Sequence, residues 1–554
     1  MADFFTAGKL TAYLVLSSVL VYKSNGAYYI KLQKGRNGMA KDKFYLSDNH
    51  KIRIDWIIFI FLFLAEMIYG IYLGYFREVL LGDAVSRTAN AFYVLSSKPY
   101  RLTSMGLVWN PLPSFLQLPF VALSKWWRPF VTKGIGAAFI TAFFAAWQGK
   151  RLVSTFYRLE VEKLPAVILT LLFCLNPYIF FYGANGMSEI IFMAFLVQIV
   201  CAFSLWIQKG AARYLITVAA GFVGLFLTRY EAIPFALSVG MGMCLQIFFS
   251  KQERQFYPAH NWKEPVFYLE GSLWVTFFPV IFTALVWISY NWSITGNPFY
   301  FMNSGYSMNA YSAYYTDYVG FTGAVGFVWV RLWPFLLLFF TLLLIRILTK
   351  TVWRVDFLIL CVVSLGLTVF QFFMIANGKS GGYVRYLCYV MVLAMAWVPY
   401  QLSVLQKKQR KIASFFLAVV LLVSTGYFTW AFRYSSLMRE DTLLSVPAKS
   451  EQVAQYINSN LKHDRILMDS YRTYYIIMNV DYVDRLVISS SPDFKESVED
   501  PAAHNIDYLI VPQIGSYGNM DSLNIAYPNL YQNGEDWCQE VASIGEFKIY
   551  KVLS

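Results

Sequence analysis

Hydrophobic residues recur along this chain in long unbroken runs rather than in alternation. The run IDWIIFIFLFLAEMIYGIYLGY at 54–75 is one example, and ten more follow. Continuous apolar stretches of about 18 residues or more predict membrane-crossing helices, whereas a transmembrane barrel would alternate apolar and polar positions. The pattern predicts spans at roughly 55–76, 129–148, 164–182, 188–207, 214–229, 232–250, 271–290, 324–346, 355–375, 386–403 and 412–431. The stretch LTAYLVLSSVLVY in residues 8–30 reads as a twelfth span or an interfacial helix. No small-residue cleavage site follows it, so a removed signal peptide is not expected.

After residue 432 the pattern changes. SEQVAQYINSNLK reads as an amphipathic helix with Ser450 as its N-cap. RILMD, RLVIS and DYLIVP are short strand-like runs, and GEFKIYKV reads as a closing edge strand. The fold class is therefore a polytopic α-helical membrane protein of about 11–12 spans with a small C-terminal extracytoplasmic α/β domain. Its parts are residues 1–54 (an N-terminal membrane-associated segment with a basic loop), 55–432 (the membrane portion) and 433–554 (the C-terminal domain).

Composition agrees. Of 554 residues 57% are hydrophobic and 14% charged, against about 25% charged in soluble domains. The net charge of +13 is uneven, because residues 433–554 hold 17 acidic and 10 basic residues. Excess Lys and Arg in cytoplasmic loops accounts for the basic remainder, and no nucleic-acid partner is needed. With the segment 31–53 placed in the cytoplasm, the loops on that side collect 23 Lys and Arg, against ten in the others before the tail. Odd parity then puts the tail outside, in a multi-pass protein of the cell membrane. Five of six cysteines lie in apolar runs and only Cys538 lies in the tail, which excludes a disulfide within it. No Cys/His cluster with zinc spacing occurs.

This topology brings the charges at span ends to one face. They are Glu78, Asp83 and Arg87 in EVLLGDAVSR, Glu189 in ANGMSE, Arg229 and Glu231 in LTRYEAIP, and Lys379 and Arg385 in NGKSGGYVRY. Ionisable groups at membrane depth are costly and mark functional sites. Each also has a plainer reading. Glu189 suits a helix N-terminus, Arg229 and Glu231 an interfacial ion pair, Arg385 a snorkelling side chain, and Asp83 a turn. Together a carboxylate supplies a general base, and arginines and lysines a clamp for a phosphate leaving group. Three long outer regions, 77–128, 291–323 and the tail, would roof such a pocket. Within the first, PLPSFLQLPFVALSKWW reads as a helix lying at the interface.

The acidic motif EVLLGDAVSR soon after the first span resembles that of GT-C superfamily glycosyltransferases. NPLPSFLQLP is similar to the proline-paired segment of the bacterial dolichyl-phosphate-mannose-mannosyltransferase-like members (glycosyltransferase family 39-type). SEI at 188–190, GNPFYF at 296–301 and VRYL at 384–387 fall where that group carries similar residues. The resemblance covers about residues 55–432. It implies an inverting membrane enzyme that transfers a sugar from a polyprenyl-phosphate donor to an acceptor hydroxyl of a glycan, lipid or protein on the outer face. It also implies Asp83 as base and Arg385, with Lys379 second, as the phosphate contact. Glu78, Arg87, Glu189, Arg229 and Glu231 complete the candidate substrate-binding set. The chain departs from the family in one respect: its acids are five apart, about 140° around a helix axis, so Glu78 and Asp83 do not act as a pair. No outer DxD motif points to a metal, although a divalent ion is not excluded. A glycolipid transporter or a cell-envelope assembly protein are the alternatives.

Overall fold

The computed structural model describes residues 19–24, 27–32, 52–96, 100–250, 263–305, 320–439, 446–515 and 518–553. Most of the basic segment 31–53 and the tyrosine-rich stretch at 306–319 lie outside them. The chain divides into two compact units, Met1–Ile57 and Ile58–Ser554.

In the smaller unit, β1 (Val19–Ser24) pairs antiparallel with β2 (Ala27–Leu32), with Tyr22 opposite Tyr29. This corrects the helical reading of residues 8–30 wherever they are described. Asn25-Gly26, flanked by Val, Tyr and Ile, is a strong hairpin signal, and it outweighs the apolar count.

Eight described helices are long and apolar enough to cross a membrane, the first of them beginning at the end of the smaller unit. They are Ile54–Phe76, Ser188–Lys209, Ala232–Phe249, Lys263–Thr295, Phe321–Leu348, Val355–Ala376, Val384–Ser403 and Lys407–Tyr434. The other three expected spans also fall on helices. One is the 24-residue helix Ile135–Arg158, which carries Lys150 and Arg151. Another is the 17-residue helix Ala212–Thr228. The third is a pair, Lys163–Cys174 and Pro177–Ala184, bent by 66° and counted as a ninth span if taken together. The bend has a local cause. Pro177 cannot continue the preceding helix, and the Asn176 side chain accepts from Tyr178 N at 3.1 Å to start a new one.

The helix Ser188–Lys209 is buried from Ser188 to Ile207. It is apolar on every side, as a helix surrounded by other helices must be. Near the end of the bundle remote from the cluster described below, buried Arg346 donates from Nη2 to Asp356 Oδ2 at 2.7 Å and from Nε to Gln401 Oε1 at 2.6 Å.

We label α1 the helix Gly82–Ser96, which follows the first span. The apolar piece downstream folds as two short turns, Leu112–Phe115 and Leu118–Leu123. The C-terminal segment forms α2 (Ser450–Asn460), α3 (Ser470–Asn479) and a five-stranded sheet. Its strands are β3 (Ile466–Leu467), β4 (Leu486–Val487), β5 (Tyr508–Pro512), β6 (Cys538–Ile544) and β7 (Phe547–Val552), in the order β4-β3-β5-β7-β6. The strand β7 is therefore interior and not an edge, because β6, whose sequence CQEVASI lacks a clear apolar alternation, covers its free side. Nor does Ser450 cap α2. Lys449 takes that place with φ 66°, and the Ser450 hydroxyl turns back to donate to Pro447 O at 2.7 Å.

This domain shares one hydrophobic core with the loop that bears α1. Val85, Ala89, Phe92, Val121 and Val131 pack with Ile457, Tyr474, Ile477 and Ile549. Polar contacts follow the same seam. Arg128 donates from Nε to Met478 O at 2.9 Å and from Nη2 to Val480 O at 3.0 Å. Arg101 donates to Ser490 O at 2.9 Å, and Tyr475 Oη donates to Thr132 O at 2.9 Å.

Candidate functional site

Four chain segments converge on a ladder of alternating charge. Asp83 lies in the first turn of α1, and Glu189 in the first turn of the buried helix Ser188–Lys209. Arg229 and Glu231 sit in the break between Ala212–Thr228 and Ala232–Phe249. Arg385 sits in the short turn Val384–Leu387.

Two glycines allow the approach. Gly186 has φ 80°, and a Cβ there would come within 2.8 Å of Ala137 Cβ and 3.3 Å of Ala84 Cβ. Gly382 has φ 61°, and a Cβ there would run into the Phe327 ring. A larger residue at Gly186 would press on Ala84, next to Asp83, and one at Gly382 would displace the loop that leads to Arg385.

The ladder runs Asp83–Arg385–Glu189–Arg229–Glu231. Arg385 Nη2 donates to Asp83 Oδ2 at 2.9 Å, and its Nε lies 3.3 Å from Glu189 Oε1. Arg229 Nη1 donates to the same Glu189 oxygen at 2.8 Å, while its Nη2 donates to Glu231 Oε1 at 2.9 Å. Aromatic faces back both guanidiniums. Arg229 stands 4.8 Å from the Tyr386 ring centre, and Arg385 stands 4.7 Å from that of Tyr383. These are cation–π distances, which strengthen as water is excluded.

Exposure separates the carboxylates. The Asp83 side chain is 41% accessible and that of Glu189 2%. Asp83 is thus the carboxylate of the ladder that an arriving group meets first, while Glu189 holds two arginines from beneath. Two arginines face three carboxylates along the ladder, and nearby Arg87 makes the set of six neutral. Arg87 stands 4.6 Å over the Trp109 ring, and among the described residues it makes no hydrogen bond or ion pair.

Two expected members fall elsewhere. Glu78, with φ 53° and a 65% accessible side chain, accepts from Lys133 Nζ at 2.7 Å. That contact holds its carboxyl below the usual range. The chain between Glu78 and Gly82 is not helical, so the two acids part because of a backbone turn and not because of helical angle. Lys379 is exposed and joins no ion pair among the described residues.

Sequence reasoning did not find Trp109, Tyr383 or Tyr386. The two tyrosines were visible in GGYVRY on either side of Arg385. Trp109 lies 22 positions beyond Arg87, and nothing in the local pattern links the two. Among the described residues, no three His, Cys, Asp or Glu side chains group as metal ligands. In comparisons with known proteins, the chain matches no family model and no curated protein.

Proposed function

We propose that this protein is a membrane glycosyltransferase of GT-C type, which moves a sugar from a polyprenyl-phosphate donor to an acceptor hydroxyl at the outer face. The observation that carries this reading is the ladder: a half-exposed carboxylate is held by an arginine whose other partner is a buried glutamate. In the reaction, Asp83 takes the proton of the acceptor hydroxyl. The acceptor oxygen attacks the anomeric carbon from the face opposite the lipid phosphate. The bond from that carbon to the phosphate oxygen breaks, the phosphate leaves with the electron pair, and the configuration inverts. A guanidinium of the site offsets the charge that grows on the leaving oxygen.

The test offers the purified full chain a panel of polyprenyl-phosphate sugars and measures release of lipid phosphate. Turnover by the wild type, with loss of about 10²–10⁴-fold in Asp83→Asn, is the expected result, this being the usual contribution of a general base. Equal turnover by both proteins removes Asp83 from the chemistry.

One feature favours a second reading, glycolipid transport. The helix broken at Asn176-Pro177 packs its Gly183 against Glu66, a buried carboxyl in the first span with no hydrogen-bond partner among the described residues. Broken helices beside buried ionisable groups are common in transporters. Transbilayer movement of a labelled polyprenyl-phosphate sugar in proteoliposomes, without release of lipid phosphate, would select that reading.

A further inference from the structure

Arg87 is set up differently from the other two arginines of the site. It is 9% exposed, and its Nη1 is buried with no hydrogen-bond partner among the described residues. Its natural partner would be Asp83, four residues earlier on the same helical face, but Asp83 Oδ2 is taken by Arg385.

Trp109 covers one face of the guanidinium and is itself held in place by its neighbours. Tyr230 Oη donates to Val108 O at 3.2 Å, Asn110 Nδ2 donates to Phe226 O at 2.6 Å, and Trp287 Nε1 donates to Tyr230 Oη at 3.0 Å. Burial and the neighbouring Arg229 bring the Arg87 guanidinium down to about 10, so it remains a cation at neutral pH.

An anion approaching this site meets unequal choices. To bind Arg385 or Arg229 it must compete with carboxylates already paired there, the buried Glu189 among them. To bind Arg87 it displaces no carboxylate and satisfies a donor that is already unmet. A guanidinium edge presents paired N–H groups that match two oxygens of a phosphate.

We propose that Arg87, braced on Trp109, is the seat of the substrate's phosphate group, while Arg385 and Arg229 position Asp83 and Glu189. The lipid part of this assignment rests on the donor reading above, whereas the anion seat does not. The seat also lies one helical turn from Asp83, so a phosphate held there places its sugar beside the base.

The test uses the full chain in neutral-lipid nanodiscs with three probes: decaprenyl phosphate, decaprenol and inorganic phosphate. Binding is followed by tryptophan fluorescence and native mass spectrometry. The wild type is expected to bind decaprenyl phosphate and not decaprenol. Arg87→Met should weaken this at least about tenfold, Arg87→Lys should do so less, and Lys379→Met should leave it within about twofold.

Thermal unfolding supplies a control. Removing an unpaired buried cation should leave the melting temperature of Arg87→Met unchanged or raise it, whereas a structural Arg87 would lower it. Unchanged binding by Arg87→Met, a loss confined to Lys379→Met, or no binding of either phosphate by the wild type overturns the assignment. Equal, Arg87-dependent binding of inorganic phosphate keeps the seat and removes the lipid-donor reading.

Discussion

Arg385 and Asp83 are 302 positions apart in the chain, yet they meet at 2.9 Å, and the same guanidinium reaches Glu189. The first loop and the last third of the membrane portion are thereby tied at one point. Asp83 is thus a carboxylate already paired in the resting protein. A substrate that draws Arg385 aside would leave Asp83 free to accept a proton.

Arg385→Lys should therefore retain the charge and lose the fork. A lysine cannot bridge Asp83 and Glu189 from a planar pair of donors. Turnover on the accepted polyprenyl-phosphate sugar is expected to fall about 10–100-fold, with the melting temperature falling much less than for Arg385→Met. Equal activity of the lysine variant and the wild type would show that the bridge is dispensable.

Glu189→Gln leaves Arg229 and Arg385 with one fewer buried countercharge. Breaking a buried pair from one side typically costs about 3–5 kcal/mol, more than replacing both partners with apolar residues. Glu189→Gln should thus lower thermal stability in detergent more than the double variant Glu189→Leu/Arg229→Met does. The reverse order would mean that Glu189 is not the anchor of the ladder.

The C-terminal domain should not behave as a detachable module. Arg128→Ala removes donors to Met478 O and Val480 O, and the guanidinium also lies 5.2 Å over the Phe92 ring of α1. Hydrogen bonds from a charged donor contribute about 1.5–3 kcal/mol each. Limited proteolysis is expected to cut Arg128→Ala faster than the wild type, and turnover should fall because α1 carries Asp83. Wild-type cleavage and activity would show that the seam does not position the site.

Asp521 supplies a pH dependence with a definite sign. Its Oδ1 accepts from Leu523 N at 3.0 Å, while Oδ2 is buried with no hydrogen-bond partner among the described residues. Burial, with the charge of Asp469 nearby, raises its carboxyl well above the usual value. The folded state therefore holds a proton that the unfolded state gives up near pH 3.9. This stabilisation is full below that pH and is lost as pH rises through the folded value. Asp521→Asn keeps the acceptor and removes the titration, so its gain in stability over the wild type should grow as pH rises from 4 to 8. Hydrogen exchange at Leu523 and Asn524 reads this directly. A gain that shrinks with pH would place a charged carboxylate at Asp521.

Much of the architecture could be read from pattern alone. Apolar runs must leave water wherever the chain goes, so each of the eleven spans expected from residue 55 onward overlaps a helix or a bent helix pair, while the apolar stretch in residues 8–30 is a hairpin where it is described. Asp83, Glu189, Arg229, Glu231 and Arg385 were visible as charges at the ends of such runs, and the structure brings those five together. What pattern could not reach was decided by contacts distant in sequence. Glu78 leaves the set because a left-handed turn delivers it to Lys133, β7 is interior because β6 closes over it, and Trp109 lies under Arg87 because Val108 and Asn110 are tied to other helices. Hydrophobicity acts residue by residue and is legible in one dimension. Pairing of charges and rings depends on which segments meet, and only packing determines that.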